Sequence, residues 1–429
     1  MTNIVFDGPR AFWLLQQLSF PRLGGTPTEK KAADLLRKYL RSIGLNPKEE
    51  TFKVQTYQDI RASVEVIAPY RKKYEVSVIG NSGSTPQSGI KSELVHLIST
   101  DPAHLKTAKN KIALIYNAIN KITYQQLRRN NTKVLIVVTE PVPGMRHLKR
   151  NNLFIKAYGR IPSVIIGYQD ALEMIHRGAK TINVICRQRE FTGTSRNVIT
   201  IIKGTELPNE KIVICAHYDS VNQCPGSVDN GGGSVSIAEF ARHFVNHPPK
   251  RTLVFIWFGS EELGLKGSWA YAARHKKELA KPRPPLSLKS EQVGLLINFD
   301  VAGTIFGNNS SVVCGSESMA NFVDSLAKEK GIPFQIGHAA YSSDNIPFNE
   351  KGIPSIALNR SSGSYGHSTL DDIKLTNAEG LKIMGQFGLE LVSRIVNATD
   401  IPFDLSIPES DRKFTCEYVE RANPYYKRP

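Results

Sequence analysis

Cysteine is scarce: five occur in 429 residues, at 186, 215, 224, 314 and 416. The number is odd and no C-x-x-C spacing occurs, which excludes a disulfide framework and a thiolate zinc site. Cys215 lies in an apolar run and reads as a buried thiol. A reducing compartment fits best. No apolar run approaches the ~18 residues that a membrane helix needs, so no membrane partner is expected. The opening residues, Met1 to Asp7, lack the basic and apolar regions of a secretion signal, and the expected location is cytoplasmic. Gly231, Gly232 and Gly233 form a glycine run, but no Gly-Lys-Ser/Thr follows, so nucleotide binding is not expected. Acid is in deficit, with 39 Asp and Glu against 55 Lys and Arg, a net charge of +16. The basic residues are scattered and adjoin no nucleic-acid motif, so they read as a solvated surface and no nucleic-acid partner is expected. Internal repeats and low-complexity tracts are also missing.

Apolar residues make up 41% and charged residues 22%, an ordinary globular balance, and the length allows two or three domains. Two helices are expected first. Asp7 can cap one whose apolar face is Phe12, Leu14, Leu15 and Leu18. Thr26, Pro27 and Glu29 form a capping box for the second, and Gly44 stops it. Residues 58–190 show many short strands and few chemical motifs, which indicates a small β-rich module. From about 195, apolar strands alternate with helices: Asn197–Ile202, Lys211–Ala216, Leu253–Phe258, Val293–Phe299 and Ser355–Leu358 are strands, while Ser234–Phe244 and 317–330 are helices. That order predicts an α/β fold with a mostly parallel, doubly wound sheet covered on both faces. Sites in such sheets lie outside the carboxyl ends of the strands. The tail after Asp400 is proline-rich and polar.

Five segments carry ligand-type side chains, four of them just after expected strands. They are Cys215-Ala216-His217-Tyr218-Asp219, Asp229-Asn230-Gly231-Gly232-Gly233, Glu261-Glu262-Leu263-Gly264-Leu265-Lys266-Gly267-Ser268, Asn298-Phe299-Asp300 and Tyr365-Gly366-His367. Two imidazoles with three carboxylates, and a fourth adjacent, suit a pair of borderline divalent ions. A carboxylate can bridge two such ions, which then clamp a hydrolytic water. Glu261 and Glu262 are neighbours and cannot do the same job; one can bind metal while the other acts as general base. Asp219, two residues after His217 on a strand, shares its side and can accept from its second ring nitrogen.

In this order the segments resemble the M28 family of dinuclear zinc aminopeptidases, including the bacterial aminopeptidases and the carboxypeptidase Q-like dipeptidases. The resemblance covers the N-terminal helices and about 195–395. It implies a zinc exopeptidase fold formed by 1–57 and 191–429, interrupted by an inserted protease-associated (PA) domain at 58–190. It implies that Asp229 bridges two metals, with His217 and Asp300 at one and Glu262 and His367 at the other. Glu261 would be the general base and Asp219 would orient His217. The metals would be two Zn2+, with Co2+ or Mn2+ possible. A cis peptide after Asp229 is implied, and Tyr365 is a candidate donor to the oxyanion. The substrates would be short peptides cleaved at the N-terminal bond. Many relatives read S-D-H where this chain has Ser343-Asp344-Asn345, and an effect on the pocket is expected there.

Other readings exist. The same fold supports a glutaminyl cyclase with one zinc, and a non-catalytic scaffold. The five-ligand set argues against both. His96, His104, His147, His176, His243, His247, His275 and His338 are taken as surface or core residues. Ser260 and Ser268 lack a His/Asp partnership, so serine hydrolysis is a poor rival.

Overall fold

The computed structural model describes residues 4–117, 119–141, 144–279, 292–363 and 365–426 of the chain. The first helix spans Gly8–Leu18, and the Asp7 side chain accepts from the Arg10 N–H. Leu14, Leu15 and Leu18 form its buried face. The second spans Pro27–Ser42, with Thr26 accepting from the Glu29 N–H. It stops where Gly44 turns left-handed at φ 88°. The capping box is not reciprocal. The Glu29 carboxylate accepts instead from the Gly25 N–H at 2.7 Å, the Ser195 hydroxyl at 2.5 Å and the Ser260 hydroxyl at 3.3 Å. The Thr26 N–H donates instead to the Leu23 carbonyl at 3.3 Å, which leaves the buried Glu29 carboxylate to the Gly25 N–H and two distant hydroxyls.

The strands in chain order are β1 (Lys48–Ala68), β2 (Lys72–Tyr74), β3 (Val76–Val78), β4 (Ile90–Leu97), β5 (Ile112–Tyr116), β6 (Val134–Val138), β7 (Ser163–Ile166), β8 (Thr181–Ile202), β9 (Leu207–His217), β10 (Arg251–Phe258), β11 (Gln292–Phe299), β12 (Asn308–Cys314), β13 (Gln335–His338) and β14 (Ser355–Ser361). The order across the sheet is β13-β12-β14-β11-β9-β10-β8-β4-β5-β6-β7-β3, and β1 pairs with β8 and β2. At its centre β14, β11, β9 and β10 are parallel neighbours. β8 and β12 flank them antiparallel.

The continuous apolar runs are buried on both faces because strand side chains alternate. Ile212, Ile214 and Ala216 of β9 and Leu253, Phe255 and Trp257 of β10 join one core, with Phe240 and Phe244 from helix Gly233–Asn246 and Leu391 from helix Ala378–Asn397. Val213, Cys215, Val254, Ile256 and Phe258 face the other way, toward Tyr271 and Phe348. The parallel strands thus all end on one edge, and their apolar filling holds that edge rigid.

β1 and β8 form one antiparallel ribbon from Lys48↔Ile199 to Ala68↔Thr181. It runs through the expected junctions at 57/58 and 190/191, so both regions share one sheet. Beyond it β4, β5, β6 and β7 are parallel, and β3 closes the edge antiparallel. Residues 58–190 are rich in strands and also carry helices Pro102–Leu105, Lys121–Arg129, Asn152–Tyr158 and Tyr168–His176. Parallel neighbours need such crossovers. The polar tail carries a helix, Glu409–Ala422, tied down by buried Asp411, which accepts from the Gly315 N–H at 3.1 Å. Among the described residues no helix is long and apolar enough to cross a membrane.

Phe240 anchors the larger core, with Phe6 and Phe299 edge-on at 6.1 and 4.9 Å between ring centroids. Phe240→Ala should cost about 3–5 kcal/mol of stability. Ile60→Ala, at an exposed position, should change it by less than about 0.5 kcal/mol. Urea unfolding of both variants beside the parent chain checks this, and equal midpoints would refute it.

Candidate metal centre

The ligand-type residues collect at the carboxyl ends of the buried strands. His217 ends β9, Asp300 follows β11, and Glu261 and Glu262 follow β10. Asp229 lies in the irregular turn Ser227–Gly232 before helix Gly233–Asn246. His367 comes from the loop after β14 and has a left-handed backbone at φ 62°. Ser260, just before the glutamate pair, is left-handed too, at φ 56°. Non-glycine residues held this way often mark functional loops.

Asp229 faces both imidazoles. Its Oδ1 lies 3.2 Å from His217 Nε2, and its Oδ2 lies 3.3 Å from His367 Nε2. Asp300 Oδ1 is 3.3 Å from His217 Nε2, and Glu262 Oε2 is 3.4 Å from His367 Nε2. Two donor sets result, sharing Asp229: His217, Asp229 and Asp300, and Asp229, Glu262 and His367. Within each set the donor atoms lie within 4.8 Å of one another.

The electrostatics follow from burial. Burial opposes a charge on His217, but the Asp300 and Glu261 carboxylates overcome it and raise its pKa well above the usual value. The Glu262 charge pushes His367 up to about 9 against its burial. Burial works to raise the Asp229 pKa, and the two imidazoles outweigh it and hold the group below the carboxylate range. Glu261 and Glu262 are both raised, chiefly by burial. Buried anions at this density need cationic partners. Glu262 Oε1 is buried with no hydrogen-bond partner, an oxygen that a cation would satisfy. Imidazole nitrogen with carboxylate oxygen, and no thiolate, is a donor set for zinc and its first-row neighbours.

The other expected residues lie close by. Asp219 Oδ1 stands 3.6 Å from His217 Nδ1, longer than a hydrogen bond. Its two oxygens instead accept from the backbone N–H groups of Glu261 and Glu262, at 2.9 and 3.2 Å. Asp219 therefore fixes the glutamate loop. Tyr365 lines a cavity of about 210 Å³ beside Asp229 and His367. Asn345 belongs to neither donor set; it starts helix Ile346–Glu350 and donates to Asn349 Oδ1 at 3.0 Å. The Asp229–Asn230 peptide is cis. The glycine run serves close approach, not left-handed turning. A Cβ on Gly232 would run into the Ala302 carbonyl, and one on Gly233 into the Phe299 carbonyl.

Several supports were not visible in the sequence. Asp371 accepts from the N–H groups of Val228 and Asp229 at 2.7 and 3.0 Å, so it holds Asp229 by its backbone. Its place four residues after His367 was the available signal. Buried Arg22 donates to the carbonyls of Tyr218, Pro225 and Gly226, clamping the end of β9 to the start of the Asp229 turn. Nothing in its sequence surroundings marks it. Asn230 Nδ2 donates to the Phe299 carbonyl at 2.7 Å. Asn359 Nδ2 and Tyr341 Oη both reach the Asp300 carbonyl, at 2.8 and 3.1 Å. His147, taken as background in the sequence, donates its N–H to the His367 carbonyl at 2.7 Å. Burial and the His367 charge push its imidazole down to about 4.

Peptidase family M28 matches residues 197–392. Aminopeptidase YwaD of Bacillus subtilis is 29% identical over 376 residues, which is 82% of this chain and 76% of that protein. Carboxypeptidase Q of Bos taurus is 26% identical over 279 residues, 60% of this chain and 58% of that protein, so the chain spans less than two thirds of it. Among solved structures, BSAP, a zinc aminopeptidase from Bacillus subtilis, superposes with a TM-score of 0.75 at 23% identity, over 95% of this chain and 100% of that one. A peptidase M28 precursor from Shewanella amazonensis gives 0.78 at 21% identity, over 93% and 95%. At these identities the superpositions show the fold.

Replacing Asp371 by Ala leaves the N–H groups of Val228 and Asp229 unpaired beside the Asp229 carboxylate. Metal affinity should fall roughly 10–100-fold. Competition with a chromophoric chelator measures this, and an unchanged affinity would remove Asp371 from the support of the site.

Proposed function

Residues 197–392 belong to peptidase family M28, and from that premise we propose a metal-dependent exopeptidase, an aminopeptidase or dipeptidase, that hydrolyses the N-terminal bond of short peptides. The observation that carries the proposal is the division of the Asp229 carboxylate between two imidazoles, His217 on one side and His367 on the other. His217, Asp229 and Asp300 would hold one zinc ion, and Asp229, Glu262 and His367 a second; cobalt or manganese suits the same donors. Two such ions supply Lewis acidity for the scissile carbonyl and a water acidic enough to attack at neutral pH.

The chain's own residues do the rest. Glu261 takes a proton from the attacking water and returns it to the leaving amine. Burial raises its pKa, which suits a group that must hold a proton in mid-reaction. Asp219 fixes the Glu261 backbone, so the base keeps its place while its charge changes. Tyr365 lines the cavity next to His367 and is the candidate donor to the oxyanion. A carboxylate of the donor sets anchors the free α-amine. The insert presses its 146–149 segment onto the His367 loop, and this wall admits short peptides better than folded chains. Five unpaired cysteines support a reducing, cytoplasmic setting.

Metal content and hydrolysis of aminoacyl-arylamides and dipeptides test the proposal. The parent chain should hold two ions and cleave. Glu261→Gln should keep both ions and lose about 10²–10⁴ in kcat. Two ions with no cleavage of any panel member would favour a cyclase-like amide chemistry. No bound ion after reconstitution would favour a non-catalytic scaffold.

A further inference from the structure

Beside Asp229 and His367 the cavity of about 210 Å³ is lined by Val228, Val301 and Leu375, and by one residue of the insert, Arg146. The segment that carries Arg146 is fastened on both sides. Toward the catalytic region, Arg146 forms an antiparallel bridge with Ser368, and the His147 N–H donates to the His367 carbonyl at 2.7 Å. Toward the insert, the Leu148 carbonyl accepts from the Gly80 N–H at 2.9 Å, and the Arg150 N–H donates to the Gly80 carbonyl at 2.7 Å. The His147 Nδ1 also meets the Ser77 hydroxyl at 2.9 Å. A backbone tied this closely holds its side chain over the cavity without waiting for a substrate to order it.

The guanidinium has capacity to spare. Its ion-pair partner among the described residues is Glu140, with Nη2 3.2 Å from an oxygen of a side chain that is 47% exposed. Exposed pairs of this kind contribute little and exchange readily. Its Nε is buried and has no hydrogen-bond partner. The acids that share the cavity do not compete for it: Asp229 faces the imidazoles, and Asp371 accepts from two backbone N–H groups. A planar fork of donors above an apolar floor fits a carboxylate, which arginine binds with two parallel hydrogen bonds. The volume lies below the roughly 300–1,000 Å³ of pockets for drug-sized ligands, so one residue-sized group fills it.

We propose that Arg146 is a specificity-determining residue that pairs with a substrate carboxylate lying within one residue of the scissile bond. The carboxylate is either the C-terminus of a dipeptide or the side chain of an acidic N-terminal residue. The inference rests on the exopeptidase reading above and makes the insert part of the substrate site.

Two matched substrate pairs separate the sources: leucylglycine against leucylglycinamide, and glutamyl- against glutaminyl-arylamide. In each pair only the charge of one group changes. With the metal-loaded full chain, one pair should favour the carboxylate by about tenfold in kcat/KM, chiefly through KM. That ratio should fall toward unity in Arg146→Met, recover in part in Arg146→Lys, and shrink as ionic strength rises. Preference in the first pair identifies the dipeptide C-terminus, and preference in the second the acidic side chain. If both ratios in the parent chain lie near unity while the neutral substrates are cleaved, the Arg146 inference is overturned and the exopeptidase reading stands. A ratio that survives in Arg146→Met overturns it equally. If the parent chain cleaves none of the four substrates, both readings fall together. Should Arg146→Met not fold, the parent ratios and their salt dependence decide.

Discussion

The Asp229 carboxylate offers one oxygen to His217 and the other to His367, at 3.2 and 3.3 Å, and it does so with little access to water. A shared anion between two imidazoles, with Asp300 and Glu262 behind them, concentrates negative charge where solvation is weak. Such a cluster persists only if its positions are fixed from outside and its charge is compensated by cations. The surrounding structure answers the first need and the donor chemistry answers the second.

Fixing is done largely by backbone groups. Arg22 gathers carbonyls from both ends of the 218–226 segment. Asp371 holds the N–H groups of Val228 and Asp229, and Asn230 ties the same turn to the end of β11. Asp219 does for the glutamate pair what Asp371 does for Asp229. These are charge-assisted or buried hydrogen bonds, the kind whose loss leaves an unpaired group in a dry site. The donor residues come from four separate loops, yet each loop starts at a strand whose apolar neighbours allow it no slack. The β1–β8 ribbon extends the same sheet into residues 58–190, which is how the 146–149 segment comes to lie on the His367 loop.

Legibility in the sequence followed the range of the interactions. The Gly8–Leu18 and Pro27–Ser42 helices, their caps and the apolar strands depend on residues close in sequence, and their patterns were visible. The donor residues were visible too, because four of the five segments follow expected strands and the fifth carries His367. What escaped were partners distant along the chain, from 42 to 231 positions away. Glu29 looked like the acid of a capping box, but Ser195 and Ser260 reach it across the fold. Asp219 looked like the orienter of His217, and its strongest contacts are to the next strand's loop. The parallel run β4–β7 was hidden because short apolar strands look alike whether their neighbours are parallel or not.

By itself the sequence determined the alternation of apolar strands and helices, the edge on which the site would form, and the donor types available there. Those properties depend on side-chain identity and spacing along the chain. Only the tertiary structure decided which oxygen of Asp229 faces which imidazole, which buried cation clamps the turn, and that Arg146 lines the cavity beside Asp229. Those depend on the register of the β1–β8 ribbon and on backbone hydrogen bonds between loops, and neither leaves a periodic trace in the chain.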